Sequence, residues 1–184
     1  MEYNLTGTEN GQGVAASVAY TTTSPQAGIY NVTVPLVFSG TTVSYSFLVD
    51  SNNDTVLAYS LSGMKMPSQD AKQSFDGVMS VFGTYYSYSN NLGFYTNSQY
   101  FTNQGTTTKT FGTVSFPVTT YVANSPNEVF NYCGFSGSIS AYTLEVGTPP
   151  GTSLPFVTYL NFAGTENGYS VNVTLQLISM TIRG

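Results

Sequence analysis

Apolar residues recur at every second position through most of this chain, and that period constrains its fold more than any other feature. Tyr30, Val32, Val34, Leu36 and Phe38 alternate with Asn31, Thr33, Pro35 and Val37; after Ser39 and Gly40, Val43, Tyr45, Phe47 and Val49 repeat the pattern. A period of two sends successive side chains to opposite faces of an extended strand. Each run therefore predicts a ribbon with one face for a core and the other for water. Pro35 lacks an N–H for a ladder, which marks an edge or irregular position. DSNND at 50–54 reads as a turn, because Asp and Asn side chains bond the local backbone, and VLAYSL follows as another strand. Further runs cover Phe111 to Val122 as one long strand with a bulge near Pro117, then Val129 to Cys133, Ser138 to Val146, Pro155 to Ala163 and Tyr169 to Ile182. GTPPG at 147–151 is a stiff turn that could mark a lobe boundary. Roughly nine to twelve strands predict an all-β antiparallel β-sandwich, jelly-roll-like or Greek-key, two amphipathic sheets burying their inner faces.

Two segments break the period. From Ser68, the residues Ala71, Phe75, Val78, Met79 and Phe82 form a helical stripe after Pro67, with Ser68 as a candidate cap and Asp70 near the favourable amino end. One short helix over Ser68 to Phe82 is predicted. The Tyr- and Asn-rich tract from Thr84 to Thr108 has weak periodicity, and hairpins or surface loops suit it better than a regular core strand. Its rings at Tyr85, Tyr86, Tyr88, Tyr95 and Tyr100 suit loop anchoring, a subunit contact or stacking on sugars.

The pentapeptide GTENG occurs at Gly7 to Gly11 and again at Gly164 to Gly168. Aligning the copies superposes Tyr3 on Leu160, Leu5 on Phe162, Val14 on Val171, Ala16 on Val173, Val18 on Leu175 and Tyr20 on Leu177. Each copy reads as strand, Asn-Gly turn, strand. The repeat is either one turn solution used twice or a sign that the two ends take equivalent places in a sheet, in one subunit or in two.

Polarity comes from Ser, Thr, Asn, Gln and Tyr, since only 7% of the residues are charged, with four basic against nine acidic groups and a net charge of −5. Such a surface changes little in charge on acidification, which suits an acid-stable extracellular or cell-surface protein. Lys65, Lys72, Lys109 and Arg183 are too few and scattered for a phosphate-neutralising patch, so nucleic acid is not an expected partner. No apolar run is long enough for a direct membrane span.

Histidine is absent, which removes Ser-His and Cys-His pairs and the usual zinc-hydrolase site. Cys133, the single cysteine, has no internal disulfide partner and no adjacent cation, and is expected to be a buried structural thiol. Asp50 and Asp54 lack the spacing of an EF-hand. Asp50, Asp54, Glu128 and Glu145 are the carboxylates from which an acid-hydrolase pair would have to come. No catalytic, cofactor-binding or metal-binding residue is assigned, no cofactor is expected, and the chain is not read as an enzyme.

Asn4, Asn31, Asn53 and Asn172 lie in N-glycosylation sequons, with Asn131 in the weaker NYC. Asn31 is out of phase with Tyr30, Val32 and Val34, and Asn172 with Val171 and Val173. Both should therefore point outward.

The strand-rich length, these sequons, the low charge and the apolar strand from Val14 to Tyr20 resemble the glycosylated β-rich subunits of archaeal surface filaments called threads. The resemblance implies an extracellular filament, a homopolymer of identical subunits built by donor-strand complementation. Residues 1–20 would then be an amino-terminal strand segment, donating Val14, Ala16, Val18 and Tyr20, and 21–184 a β-sandwich domain with Val171, Val173, Leu175 and Leu177 in its acceptor sheet. Three other readings stay open: a virion capsid or spike protein, a glycan-binding β-sandwich module, and a histidine-free acid hydrolase.

Overall fold

The computed structural model describes residues 1–9, 11–19, 21–38, 40–81, 96–127, 137–151 and 155–181. Twelve strands follow in chain order: β1 (Glu2–Glu9), β2 (Gln12–Ala19), β3 (Thr21–Gln26), β4 (Ile29–Phe38), β5 (Thr41–Asp50), β6 (Thr55–Leu61), β7 (Met64–Lys65), β8 (Phe101–Phe111), β9 (Val114–Ala123), β10 (Ser138–Gly147), β11 (Phe156–Glu166) and β12 (Tyr169–Ser179). A 3-10 turn, Ser68–Asp70, leads into helix α1 (Ala71–Val81) between β7 and β8. The strands form one hydrogen-bonded sheet in the order β7-β6-β5-β4-β2-β1-β12-β11-β10-β9-β8, with β3 paired to β4. Two antiparallel meanders, β4 to β7 and β8 to β12, are thus joined through the amino-terminal hairpin.

Residues from opposite ends of that order share one core. Phe47 of β5 and Tyr59 of β6 cluster with Phe111, Phe116 and Val118 of β8 and β9, and with Tyr3, Leu175 and Leu177 from the middle. Strands this far apart can meet only if the sheet folds over itself, which makes the all-β sandwich. Burying a side chain such as Val34, Val118 or Leu177 contributes roughly 1.5–3 kcal/mol each. A second cluster gathers Phe101, Ala123, Ile139, Tyr142, Leu144, Val146 and Val157 between β8 and β11. The helix covers one end of the first cluster: Ala71 and Phe75 are buried, and the Phe75 ring meets Phe47 edge-on at 5.2 Å while Phe47 stacks on Tyr59 at 5.0 Å.

Several sequence expectations change in detail. The run from Phe111 to Val122 is not one strand, because Gly112 takes a positive φ of 63° and turns the chain between β8 and β9. The last part of the Tyr- and Asn-rich tract, expected as hairpins or surface loops, falls in β8, which forms a hairpin with β9; its residues from Thr102 to Thr108 are exposed on both faces, so no alternation betrays it. Ser68 does not cap the helical segment with its side chain: Pro67 holds the cap position, with no side-chain cap bond. GTPPG is no lobe boundary, since β10 and β11 on either side of it pair directly. Pro35 sits where β4 changes partner, between Leu36, which faces Val18 of β2, and Thr33, which faces Thr21 of β3. Cys133, Asn131, Glu128, the strand from Val129 to Cys133, Tyr20, Phe82, Tyr85, Tyr86, Tyr88 and Tyr95 lie outside the described residues.

Candidate assembly surfaces and glycan acceptors

The repeated pentapeptide makes two hairpins of the same register. Glu166 faces Tyr169 across a turn in which Asn167 and Gly168 take φ of 50° and 83°. Those are the two left-handed positions of a type I′ turn, which Asn-Gly satisfies with least strain. In the first copy Glu9 faces Gln12 in the same way, and Gly11 has φ 75°. The pairs Leu5–Ala16 and Tyr3–Val18 recur, at the aligned positions, as Phe162–Val173 and Leu160–Leu175. In the sheet the order is β2-β1-β12-β11, so one hairpin maps on the other by a shift of two strands with every chain direction kept. Both Asn-Gly turns therefore lie at the same end of the sheet, about 10 Å apart.

The proposed donor and acceptor runs do not touch directly. β1 stands between them: Leu5 faces Ala16 on one side and Leu175 on the other, Tyr3 faces Val18 and Leu177, and Gly7 faces Val14 and Val173. On its far side β2 pairs with β4 of the same chain from Ala16 to Val18. Tyr3 anchors the hairpin, being 2% exposed and donating its hydroxyl to the Val157 carbonyl at 3.0 Å. The first glycine of each GTENG is a close approach of backbone: a Cβ on Gly7 would lie 2.9 Å from the Asn172 carbonyl oxygen, and one on Gly164 2.2 Å from that of Ser138.

Asn4, Asn31, Asn53 and Asn172 are all exposed. Asn161 donates to the Asn172 Oδ1 at 3.0 Å and to the Thr174 hydroxyl at 2.9 Å, so one amide fixes both polar residues of that sequon. Asn53 occupies the β5–β6 turn, where its amide donates to Asp50 at 2.7 Å and the Asn52 N–H donates to the same carboxylate at 2.9 Å. The Asn53 side chain and these backbone donors hold the Asp50 carboxyl below its usual range.

Of the other carboxylates, Asp54 lies 3.5 Å from the Lys72 amine, which also binds Asp76 at 2.8 Å on the next helical turn. Glu145 is 13% exposed and accepts from Lys109 Nζ at 2.6 Å, tying β10 to β8 across β9. Among the described residues no three His, Cys, Asp or Glu side chains gather as a metal group. No helix among them is long and apolar enough to cross a membrane.

The sequence did not disclose that β1 lies between β2 and β12, nor that β8 is an exposed edge. The first depends on pairing between the two ends of the chain, for which local periodicity carries no signal; the second had one available clue, the β-prone threonine run itself. Compared with known proteins, the chain matches no family model, and no curated protein or solved structure matches it.

Proposed function

We propose that this chain is a structural subunit of an extracellular assembly, a homopolymer in which the amino-terminal hairpin of one subunit enters the sheet of the next. The observation that carries the reading is positional: β1 and β2 come first in the chain yet occupy the middle of the sheet, between β4 and β12. Departure of this hairpin would open two facing edges that an identical hairpin fits in the same register. The donated unit on this reading is the whole hairpin, carrying the donor run Val14, Ala16, Val18 and Tyr20, while Val171, Val173, Leu175 and Leu177 of β12 receive β1. Backbone hydrogen bonds and burial of Tyr3 supply the strength, which suits a chain with so few ion pairs.

Glycans at Asn4, Asn31, Asn53 and Asn172 complete the proposal, as a coat for an acid-stable filament of the archaeal-thread kind. Exposure of all four acceptors supports it. Intact-mass measurement on material from the native source is expected to exceed the polypeptide mass, and a bare polypeptide mass would remove the coat.

Strand exchange is tested by two single-cysteine chains in a Cys133→Ser background, one carrying Glu2→Cys and the other Ser179→Cys, whose parent side chains meet at 3.1 Å. These positions face each other across β1 and β12, within disulfide reach. Oxidation after co-assembly is expected to link the two different chains. Crosslinking confined to a chain carrying both cysteines would rule out donation.

A further inference from the structure

We infer that the free edge of β8 is a self-pairing surface, at which two copies of this chain join β8 to β8, antiparallel about Thr108. The argument starts at the turn. β8 and β9 are joined by Gly112 and Thr113 alone, with Gly112 at φ 63° and Phe111 facing Val114. Glycine at the first position of a two-residue loop is the type II′ signature, and such a loop is closed by a hydrogen-bonded pair. Pairs alternate along an antiparallel ladder, so Thr110–Ser115, Thr108–Pro117 and Thr106–Thr119 are the non-hydrogen-bonded ones. Pro117 thereby falls where its missing N–H removes no bond to β8. Hydroxyl contacts of 2.8 Å for Thr106–Thr119 and 2.7 Å for Thr110–Ser115 fit the closer approach of such pairs.

It follows that Thr106, Thr108 and Thr110 aim their N–H and C=O groups away from β9. Among the described residues no strand lies on that side of them, since β8 ends the sheet. The edge is guarded only at its ends. Above, the register breaks between Asn103 and Gly105; below, the Gly112 turn ends the strand. Between these guards there is no proline, and the one lysine, Lys109, has its amine held by Glu145. The charge that commonly keeps edges apart is thus neutralised.

A second copy of β8 is the occupant this window favours. Its outward residues are Thr106, Thr108 and Thr110, so a two-fold axis through Thr108 exchanges the outer two and maps the window on itself. In that register Thr106 faces Thr110 of the other copy, Thr108 faces Thr108, and Lys109 faces Thr107, so no like charges are opposed. About six backbone hydrogen bonds result. The other end of the sheet is a poorer match, because β7 and the Met66 N–H to Tyr59 carbonyl bond already take part of the β6 edge. Five residues of edge bury less than the roughly 1,200 Å² of a stable interface, so in isolated chains the pairing is weak and concentration-dependent. Repetition along a polymer multiplies it, and there the contact would join polymer to polymer; that last clause rests on the proposed function, the pairing itself does not.

The test uses the full unassembled chain. Amide exchange at Thr106, Thr108 and Thr110 is expected to slow as protein concentration rises, with sedimentation shifting toward twice the chain mass. Thr108→Pro removes an outward N–H only and is expected to keep the thermal melt while abolishing the shift, whereas Thr108→Val retains it. Concentration-independent exchange at the three threonines overturns the inference, whether or not the proline variant folds. So does a folded Thr108→Pro chain that associates like the parent. Protection of β8 accompanied by loss of protection in β1 and β2 would mean that a donated hairpin occupies the edge, which also overturns self-pairing.

Discussion

At Gly7 and Gly164 the same residue answers a demand of different severity. The Cβ that alanine would add at Gly164 falls 2.2 Å from a backbone oxygen and 3.0 Å from the Ile139 Cα, while at Gly7 the nearest atom is 2.9 Å away. Backbone cannot yield as a flexible side chain does, so Gly164→Ala is expected to cost about 1–3 kcal/mol and more than Gly7→Ala, read as the shift in a denaturant midpoint. Asp50 makes a second, pH-dependent prediction. Its carboxyl titrates below the ordinary value of 3.8 in the fold, chiefly through the Asn53 amide. The stabilisation is therefore complete above that ordinary value and is lost as pH falls through the lowered one. Asp50→Asn is expected to melt below the parent at neutral pH, with the two melting temperatures converging in strong acid. Of these features the Asn-Gly turns and the Asp50 turn were legible in the sequence, because a turn is chemistry of adjacent residues. The close approach at Gly164 was not, since it is imposed by Ser138 on another strand.

Elements were readable where one face is wet and the other dry. The helix showed itself through Ala71, Phe75 and Val78, and their spacing is the stripe that packs on β6. Phe75→Ala is expected to cost about 3–5 kcal/mol in a chemical denaturation, because the ring fills the space against Phe47 and no neighbour on the helix can replace it. β8 was unreadable for the converse reason: with both faces wet, alternation has nothing to record, and only β-propensity remains. Pro117 misled in a related way. A proline within an apolar run suggests a bulge, yet here it marks a place on a strand where no partner needs its N–H.

For the whole molecule, periodicity announced a layered antiparallel fold but not which strands are neighbours. Phase along a strand says which residues face inward; adjacency is settled by the fit between distant segments, such as Tyr3 beneath the Val157 carbonyl. The repeated GTENG was the sole long-range clue. It offered two readings, one turn used twice or equivalent places in a sheet, and in the fold the two hairpins lie side by side, related by a shift of two strands. The pairing of Glu2 with Ser179 has one more consequence, because it brings the first strand and the last strand together at one end of the sheet. A circular permutant, with a short flexible linker from residue 184 to residue 1 and new ends at the exposed Ser62–Gly63 turn, should fold to the same sheet. In it β11, β12, β1 and β2 become one unbroken meander, and the hairpin that was a loose end becomes an interior segment anchored at both sides. Such a chain is expected to keep the parent's melting temperature within a few degrees and to lose the ability to polymerise by donation; full-length polymer from the permutant in electron micrographs would contradict the exchange reading while leaving the fold intact.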